Sequence, residues 1–310
     1  MSKKYIVAVV QAAPILFDLE KTLAKTAHLV TEAASKGAQL VLFPEAFISV
    51  YPRGLSFGTV VGSRSAEGRE TWLKYWDSSI EVPSKATEQL GEMAKKAKVF
   101  LVLGVNEKDT VSGTMYCTML YFSPEGQLMD KHRKLKPTAA ERIVWGDGDG
   151  STLSTFNTPL GKMGGLICWE NYMPLARMAM YQKGVQLYLA PTADSRENWQ
   201  HTLKHIALEG RCFVLGCNQF VTKSMYPKDL LGIADLDQQP EIMSSGGSVI
   251  IAPTGEVLAG PLWDEEGILT AEIDMDEIIK SKLDFDSVGH YARNDVFSLT
   301  VKDQPDLKDV

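Results

Sequence analysis

Cysteine is scarce in this chain, with four (Cys117, Cys168, Cys212 and Cys217) among 310 residues. No two form a CxxC pair, which argues against a disulfide framework or a cysteine zinc site. Long apolar runs are missing too, and none reaches the length of a membrane span. There is no basic surplus: 32 Lys and Arg stand against 39 Asp and Glu, a formal net charge of −7. That balance argues against general binding to nucleic acid or to an anionic membrane. No signal peptide is visible, since Met1–Lys4 leads straight into a strand-like segment, and the expected compartment is the cytoplasm.

Two loop motifs fall short as well. Trp145–Ser151 (WGDGDGS) is rich in glycine but lacks the Lys-Ser/Thr ending of a phosphate-binding loop. Read as a calcium loop, it has Thr152 where the glycine belongs and no Glu at the twelfth position. His201 and His205 are four apart on a helical stretch, yet no Glu follows the first and no third ligand is evident. No metal is expected.

What is present is ordinary globular material, 45% hydrophobic and 23% charged. Lys4–Ala12 reads as a strand, and Asp18 caps a helix running to about Lys36, with Gly37 after it. Gln39–Phe43 is a buried strand ending at Pro44-Glu45. Ile48–Ser79 is long, with little clear periodicity, and is expected to be a functional or interface loop. Pro83–Lys98 reads as a helix and Val99–Val105 as a strand. Met115–Phe122 and Gln127–Lys131 form a hairpin that leads into the basic run Lys131–Lys136. Further on come a strand at Val185–Ala190, a helix at Glu197–Glu209 and a strand at Cys212–Asn218. Thr222–Ser245 is polar and irregular. A hairpin follows (Gly247–Ala252 with Glu256–Ala259), then a strand (Ile268–Ile273), a helix (Met275–Leu283) and a tail (Asp284–Val310). The strand–helix–strand order occurs twice, each time followed by a hairpin. The expectation is one α/β domain, 1–310, built of two similar halves.

The stretch Gly161–Pro174 (GKMGGLICWENYMP) carries the strongest chemical signal. An apolar strand delivers Cys168 to a turn, and a helix opens behind it with Pro174 near its first position. A thiol beside a helix N-terminus has its pKa lowered and finds N–H donors for an oxyanion. A lone cysteine is more often a small buried hydrophobe. The polar run after it, flanked by Trp169 and Tyr172, suits a pocket better than a buried strand. On these residues alone both readings stand. Glu45 and Lys134 also follow strands, and strand ends are where α/β sheets collect their sites.

Taken together, FPEAF (Phe43–Phe47), HRKLKPT (His132–Thr138), ERIVWGDGDG (Glu141–Gly150) and CWEN (Cys168–Asn171) resemble the motifs of the nitrilase branch of the carbon–nitrogen hydrolase superfamily. APTAD (Ala190–Asp194), GGS (Gly246–Ser248) and VGHYARNDVF (Val288–Phe297) extend the resemblance over nearly the whole chain, with particular likeness to plant-type and arylaliphatic nitrilases. The resemblance implies a four-layer α-β-β-α sandwich and a triad carried by Cys168, Glu45 and Lys134, with Glu141 as an additional glutamate beside the lysine. It implies hydrolysis of a nitrile by water to acid and ammonia, with no cofactor. Tyr51, Trp145, Trp169, Tyr172, Pro191 and Ala193 flank the motifs and are the expected substrate-binding residues.

Three alternatives use the same residues differently: an amidase, a carbamoylase or a nitrile- or cyanide-hydrating enzyme. A non-catalytic interaction protein on this fold would be expected to show a broken triad. A thiol acyltransferase would need an apolar lipid-binding segment that is absent. The resemblance also implies a homodimer or larger homo-oligomer, up to a spiral filament. Residues 284–310 and 48–79 are expected at the subunit contacts.

Overall fold

In the computed structural model, residues 3–305 are described. The first half of the chain gives β1 (Lys4–Gln11), α1 (Leu19–Ser35), β2 (Leu40–Leu42), a small hairpin of β3 (Thr59–Val60) and β4 (Ser63–Arg64), α2 (Ala66–Asp77), α3 (Lys85–Ala97), β5 (Phe100–Lys108), β6 (Met115–Phe122) and β7 (Leu128–Arg133). The second half gives β8 (Thr155–Thr158), β9 (Gly161–Gly165), α4 (Pro174–Gln182), β10 (Leu187–Pro191), α5 (Glu197–Gly210), β11 (Phe213–Cys217), β12 (Phe220–Thr222), α6 (Ala234–Asp237), β13 (Ile242–Ile251), β14 (Val257–Trp263), β15 (Gly267–Asp274) and α7 (Asp276–Ser281).

Two sheets result. One runs β15-β1-β2-β5-β6-β7; the other runs β12-β13-β11-β10-β9-β8, with β14 paired to β13. In the first, β1, β2 and β5 are parallel; in the second, β9, β10 and β11 are. Strand alternation sorts the side chains into layers. Val7 and Val9 of β1, Leu40 and Leu42 of β2, Leu187 and Leu189 of β10, and Phe213 and Leu215 of β11 share one core between the sheets. The alternate residues Ala8, Val10, Val41, Leu101 and Leu103 pack instead against Leu23 and Val30 of α1 and Leu90 and Ala94 of α3. On the far side, Tyr188, Ala190 and Val214 pack against Met180 of α4 and Leu203 and Ile206 of α5. The order is helix, sheet, sheet, helix: the expected four-layer sandwich.

Two stretches differ from expectation. The segment 48–79 is not an unbroken loop: it holds the β3–β4 hairpin and α2, capped by Ser65, whose side chain accepts from the Gly68 N–H at 3.0 Å. The buried face of α2 consists of Gly68, Thr71 and Tyr75, so two of its three contact positions carry no hydrophobic signal. Gly68 lies so close to the Phe57 carbonyl that a Cβ would stand 2.2 Å from its oxygen. Within 222–245, β13 begins at Ile242, ahead of the expected hairpin, because its two serines are strand residues paired with β12. The tail over 284–305 has no strand or helix, and Val288 and Val301 pack on the α4–α5 layer. Residues 306–310 of the expected tail lie outside the described residues.

Candidate active site

Glu45 leaves the end of β2 in a tight turn, with Ala46 in the left-handed region at φ 48°. The turn presses on β5 at Gly104, where a Cβ would stand 2.4 Å from the Pro44 carbonyl oxygen and 2.7 Å from Glu45 Cα. Lys134 follows β7, the edge strand of the same sheet. Its ammonium donates to Glu45 Oε1 at 2.6 Å and to Glu141 Oε2 at 2.7 Å, with no side-chain exposure. Glu141 sits in a short turn of helix (Ala139–Ile143) and also accepts from the Thr138 N–H at 2.7 Å and the Tyr51 hydroxyl at 2.7 Å.

Cys168 comes from the other sheet, three residues past β9, and adopts φ 51°. A left-handed conformation costs a non-glycine residue about 1–3 kcal/mol, so neighbours must enforce it. The CWEN sequence does so itself. The Asn171 amide donates to the Leu166 and Cys168 carbonyls at 3.0 and 2.8 Å, and its oxygen accepts from Tyr188 at 2.7 Å. Thr192, at the end of β10, donates to the Cys168 sulfur at 3.1 Å.

The electrostatics run against one expectation. α4 begins only at Pro174, after a separate short 3-10 turn over Cys168–Tyr172, so the thiol opens that single turn and does not lie at the N-terminus of α4. Burial and the adjacent Glu45 carboxylate push the Cys168 thiol up to about 12, against a partial offset from Lys134. The thiol is therefore protonated at rest and needs a base. Glu45 fits that need. Burial raises its pKa, Lys134 counteracts this, and Glu141 adds to it. Its Oε2 is buried without a partner, and the Cys168 thiol is set against its carboxylate. Burial also opposes the charge on Lys134, but Glu45 and the neighbouring thiols and carboxylate hold its pKa well above the ordinary lysine value.

A cavity of about 200 Å³ opens over Cys168, bounded by Tyr51, Arg53, Thr138, Glu141, Trp169 and Ala193, with Asp194, Ser195 and Arg196 at its wall. A larger cavity of about 740 Å³, beneath Ala13–Asp18 and Lys74, shares none of these residues. The structure thus brings together Glu45, Lys134, Cys168 and Glu141, with Tyr51, Trp169 and Ala193 around them. Trp145 does not line the cavity: it is buried behind it, its ring centre 5.8 Å from both the Tyr51 ring centre and the Lys134 ammonium. Pro191 is buried within β10, and Tyr172 packs edge-on against Trp169 and Trp199, beside the cavity. Sequence reasoning missed Arg53, Thr138, Thr192 and Asp194. Thr138, Thr192 and Asp194 lie inside the motifs HRKLKPT and APTAD, and Arg53 lies two residues after Tyr51, but no spacing distinguished them.

Comparison with known proteins places the chain in a family. The carbon–nitrogen hydrolase model matches residues 6–282. The chain belongs to the carbon–nitrogen hydrolase family. It is 52% identical to an aliphatic nitrilase of Sinorhizobium fredii, over 97% of each chain. It is also 52% identical to nitrilase 2 of Arabidopsis thaliana, over 96% of this chain and 88% of the other. A bifunctional nitrilase/nitrile hydratase of Lupinus angustifolius matches at 52% over 96% and 85%. Among solved structures, Saccharomyces cerevisiae Nit3, a member of the nitrilase superfamily, superposes with a TM-score of 0.74 at 24% identity, over 95% and 97% of the two chains. That last likeness concerns the fold. Within the carbon–nitrogen hydrolases this chain is a nitrilase-branch enzyme, a hydrolase acting on nitriles. Among the described residues no cluster of His, Cys, Asp and Glu has the makings of a metal site, and no helix is long and apolar enough to cross a membrane.

Proposed function

We propose that the nitrile is hydrolysed on Cys168, with Glu45 as general base and Lys134 as charge donor. The observation that carries this is the buried Cys168 thiol set against the Glu45 carboxylate, whose Oε2 has no other partner. Glu45 takes the thiol proton as sulfur attacks the nitrile carbon, and the nitrogen is protonated to give a thioimidate. Water, deprotonated by Glu45, adds to that carbon. The tetrahedral species expels ammonia and leaves a thioester, which a second water hydrolyses to the carboxylic acid. The Lys134 ammonium and the Trp169 backbone N–H stabilise charge developing in the tetrahedral species. Glu141 holds Lys134 through the 2.7 Å contact, and Tyr51 in turn orients Glu141.

The cavity over Cys168, near 200 Å³, accommodates one aryl ring or a short chain at the reacting carbon, since an engineered cavity of about 150 Å³ is enough for benzene, and it shares Tyr51, Arg53 and Glu141 with a neighbouring cavity of about 830 Å³. We assign small aromatic, arylaliphatic or short aliphatic nitriles as substrates, in the cytoplasm, with the single domain 1–310 forming a homo-oligomer. The bifunctional relatives support amide as a second product. The decisive experiment treats the enzyme with a slow nitrile and maps the adduct by mass spectrometry. It should fall on Cys168, and Cys168→Ala should stop ammonia release while keeping the fold. An adduct on Cys117, Cys212 or Cys217, with Cys168→Ala still active, would refute the assignment.

A further inference from the structure

Glu170 is a buried acid that the reaction above leaves without a task. Its Oε1 accepts from the Leu135 N–H at 2.6 Å, and its Oε2 accepts from the Ile167 N–H at 2.6 Å. Leu135 directly follows Lys134 and Ile167 directly precedes Cys168. One carboxylate thus grips the peptide after the charge donor, on the first sheet, and the peptide before the nucleophile, on the second. His132 Nε2 lies 3.0 and 3.1 Å from the same two oxygens, and its Nδ1 lies 3.1 Å from the Thr152 carbonyl. A carbonyl only accepts, so Nδ1 carries a proton. The remaining proton, between Nε2 and Glu170, belongs on the imidazole, because the carboxylate already receives two amide N–H groups. Both side chains are almost fully buried, at 1% and 0% exposure.

We propose that Glu170, backed by the His132 imidazolium, is a positioning residue that fixes Cys168 against Lys134 and thereby decides whether the tetrahedral species yields acid or amide. The proposal rests on the thioimidate route above. In that species, with OH, NH2 and the Cys168 sulfur on one carbon, two bonds compete. If nitrogen receives a proton and C–N breaks, the hydroxyl gives up its proton, ammonia leaves and the thioester forms. If C–S breaks, the hydroxyl loses its proton, the amide leaves and Cys168 regains its thiol. The Cys168 sulfur leaves as the hydroxyl proton is passed to it, whereas nitrogen leaves only after an acid has been placed to protonate it. Loosening the clamp should therefore favour amide.

The test is Glu170→Gln, which keeps the volume but turns an NH2 towards one of the two backbone N–H groups. Acid, amide and ammonia are quantified for 3-phenylpropionitrile and butyronitrile, alongside circular dichroism. The expected result is a folded protein with kcat down at least ~100-fold, KM within about threefold, and the amide-to-acid ratio raised at least fivefold. Glu170→Asp, which keeps the charge, should restore part of the ratio. If Glu170→Gln fails to fold, His132→Gln, which leaves the carboxylate in place, is read for the same ratio shift. A folded variant with an unchanged amide-to-acid ratio, whatever its kcat, overturns the proposal and leaves Glu170 a purely structural group. A wild type that releases no ammonia from any nitrile sinks the underlying reaction as well.

Discussion

At the residue scale the site is a line of charge held out of water: Glu45, Lys134 and Glu141, one ammonium between two carboxylates. Removing the ammonium does two things at once. It deletes the charge donor, which typically costs about 100- to 1000-fold in rate. It also strands two buried carboxylates, and breaking a buried pair costs about 3–5 kcal/mol. Lys134→Ala should therefore lose both activity and thermal stability, whereas Glu45→Gln, which leaves Lys134 paired to Glu141, should lose activity with little change in melting temperature. Lys131→Ala tests whether position in the basic run matters. Lys131 pairs with the buried Glu107, which Arg133 also holds at 2.8 Å, so activity should stay near wild type. Burial works against the charge on Glu107, but Arg133 and Lys131 together lower its pKa. A depressed folded-state pKa adds stability above the ordinary glutamate value and loses it as pH falls through the folded one. Lys131→Ala should accordingly melt earlier than wild type at neutral pH, with the gap closing in acid. The pH profile of kcat/KM belongs here too. Glu45 must be ionised to act, and burial raises its pKa, so the acid limb should lie above the ordinary glutamate value of about 4.3. An acid limb at or below that value would take Glu45 out of the base role.

At the scale of elements, the site depends on how tightly strand ends can approach. Gly104 on β5 carries no motif signal, yet the turn bearing Glu45 rests directly on its Cα. Gly104→Ala would drive a Cβ into the Pro44 carbonyl, shifting Glu45 away from Cys168. Expected are a loss of at least ~10-fold in kcat and a drop of a few degrees in melting temperature. Wild-type kinetics would show that the turn yields without moving the carboxylate. The same packing logic explains what could be read from sequence. Strands buried on both faces, such as Leu40–Leu42 and Leu187–Pro191, announce themselves as apolar runs. Helix α2 did not, because its buried face is made of Gly68 and Thr71 as well as Tyr75. Glu45, Lys134 and Cys168 were legible as candidates because each follows a strand within a distinctive motif. Arg53, Thr192 and the Glu170–His132 clamp were not, since only folding brings β7, β9 and β10 side by side at one end. The basic run reads as a solvated face, but Lys131, His132, Arg133 and Lys134 each meet a carboxylate in the fold.

At the scale of the whole molecule, two halves supply one site: Glu45 and Lys134 come from the first sheet, Cys168 and Thr192 from the second. The remaining question is what the rest of the surface is for. Residues 284–305 run over the second half without regular structure, held by Val288 and Val301 and by a close approach of the Lys302 carbonyl to Gly150. Yet Tyr291, Val296 and Phe297 on the same segment are 62%, 56% and 75% exposed. A segment anchored by two valines that leaves three larger apolar groups in water suits contact with another copy of the chain. A test must separate anchoring from contact. Phe297→Asp touches only the exposed group, so the melting temperature at low protein concentration should hold, while light scattering shows a smaller assembly. Val301→Asp removes an anchor instead, and burying that carboxylate should free the tail and shrink the assembly at some cost in stability. If Phe297→Asp leaves the particle mass unchanged, the tail serves its own subunit and is no contact between copies.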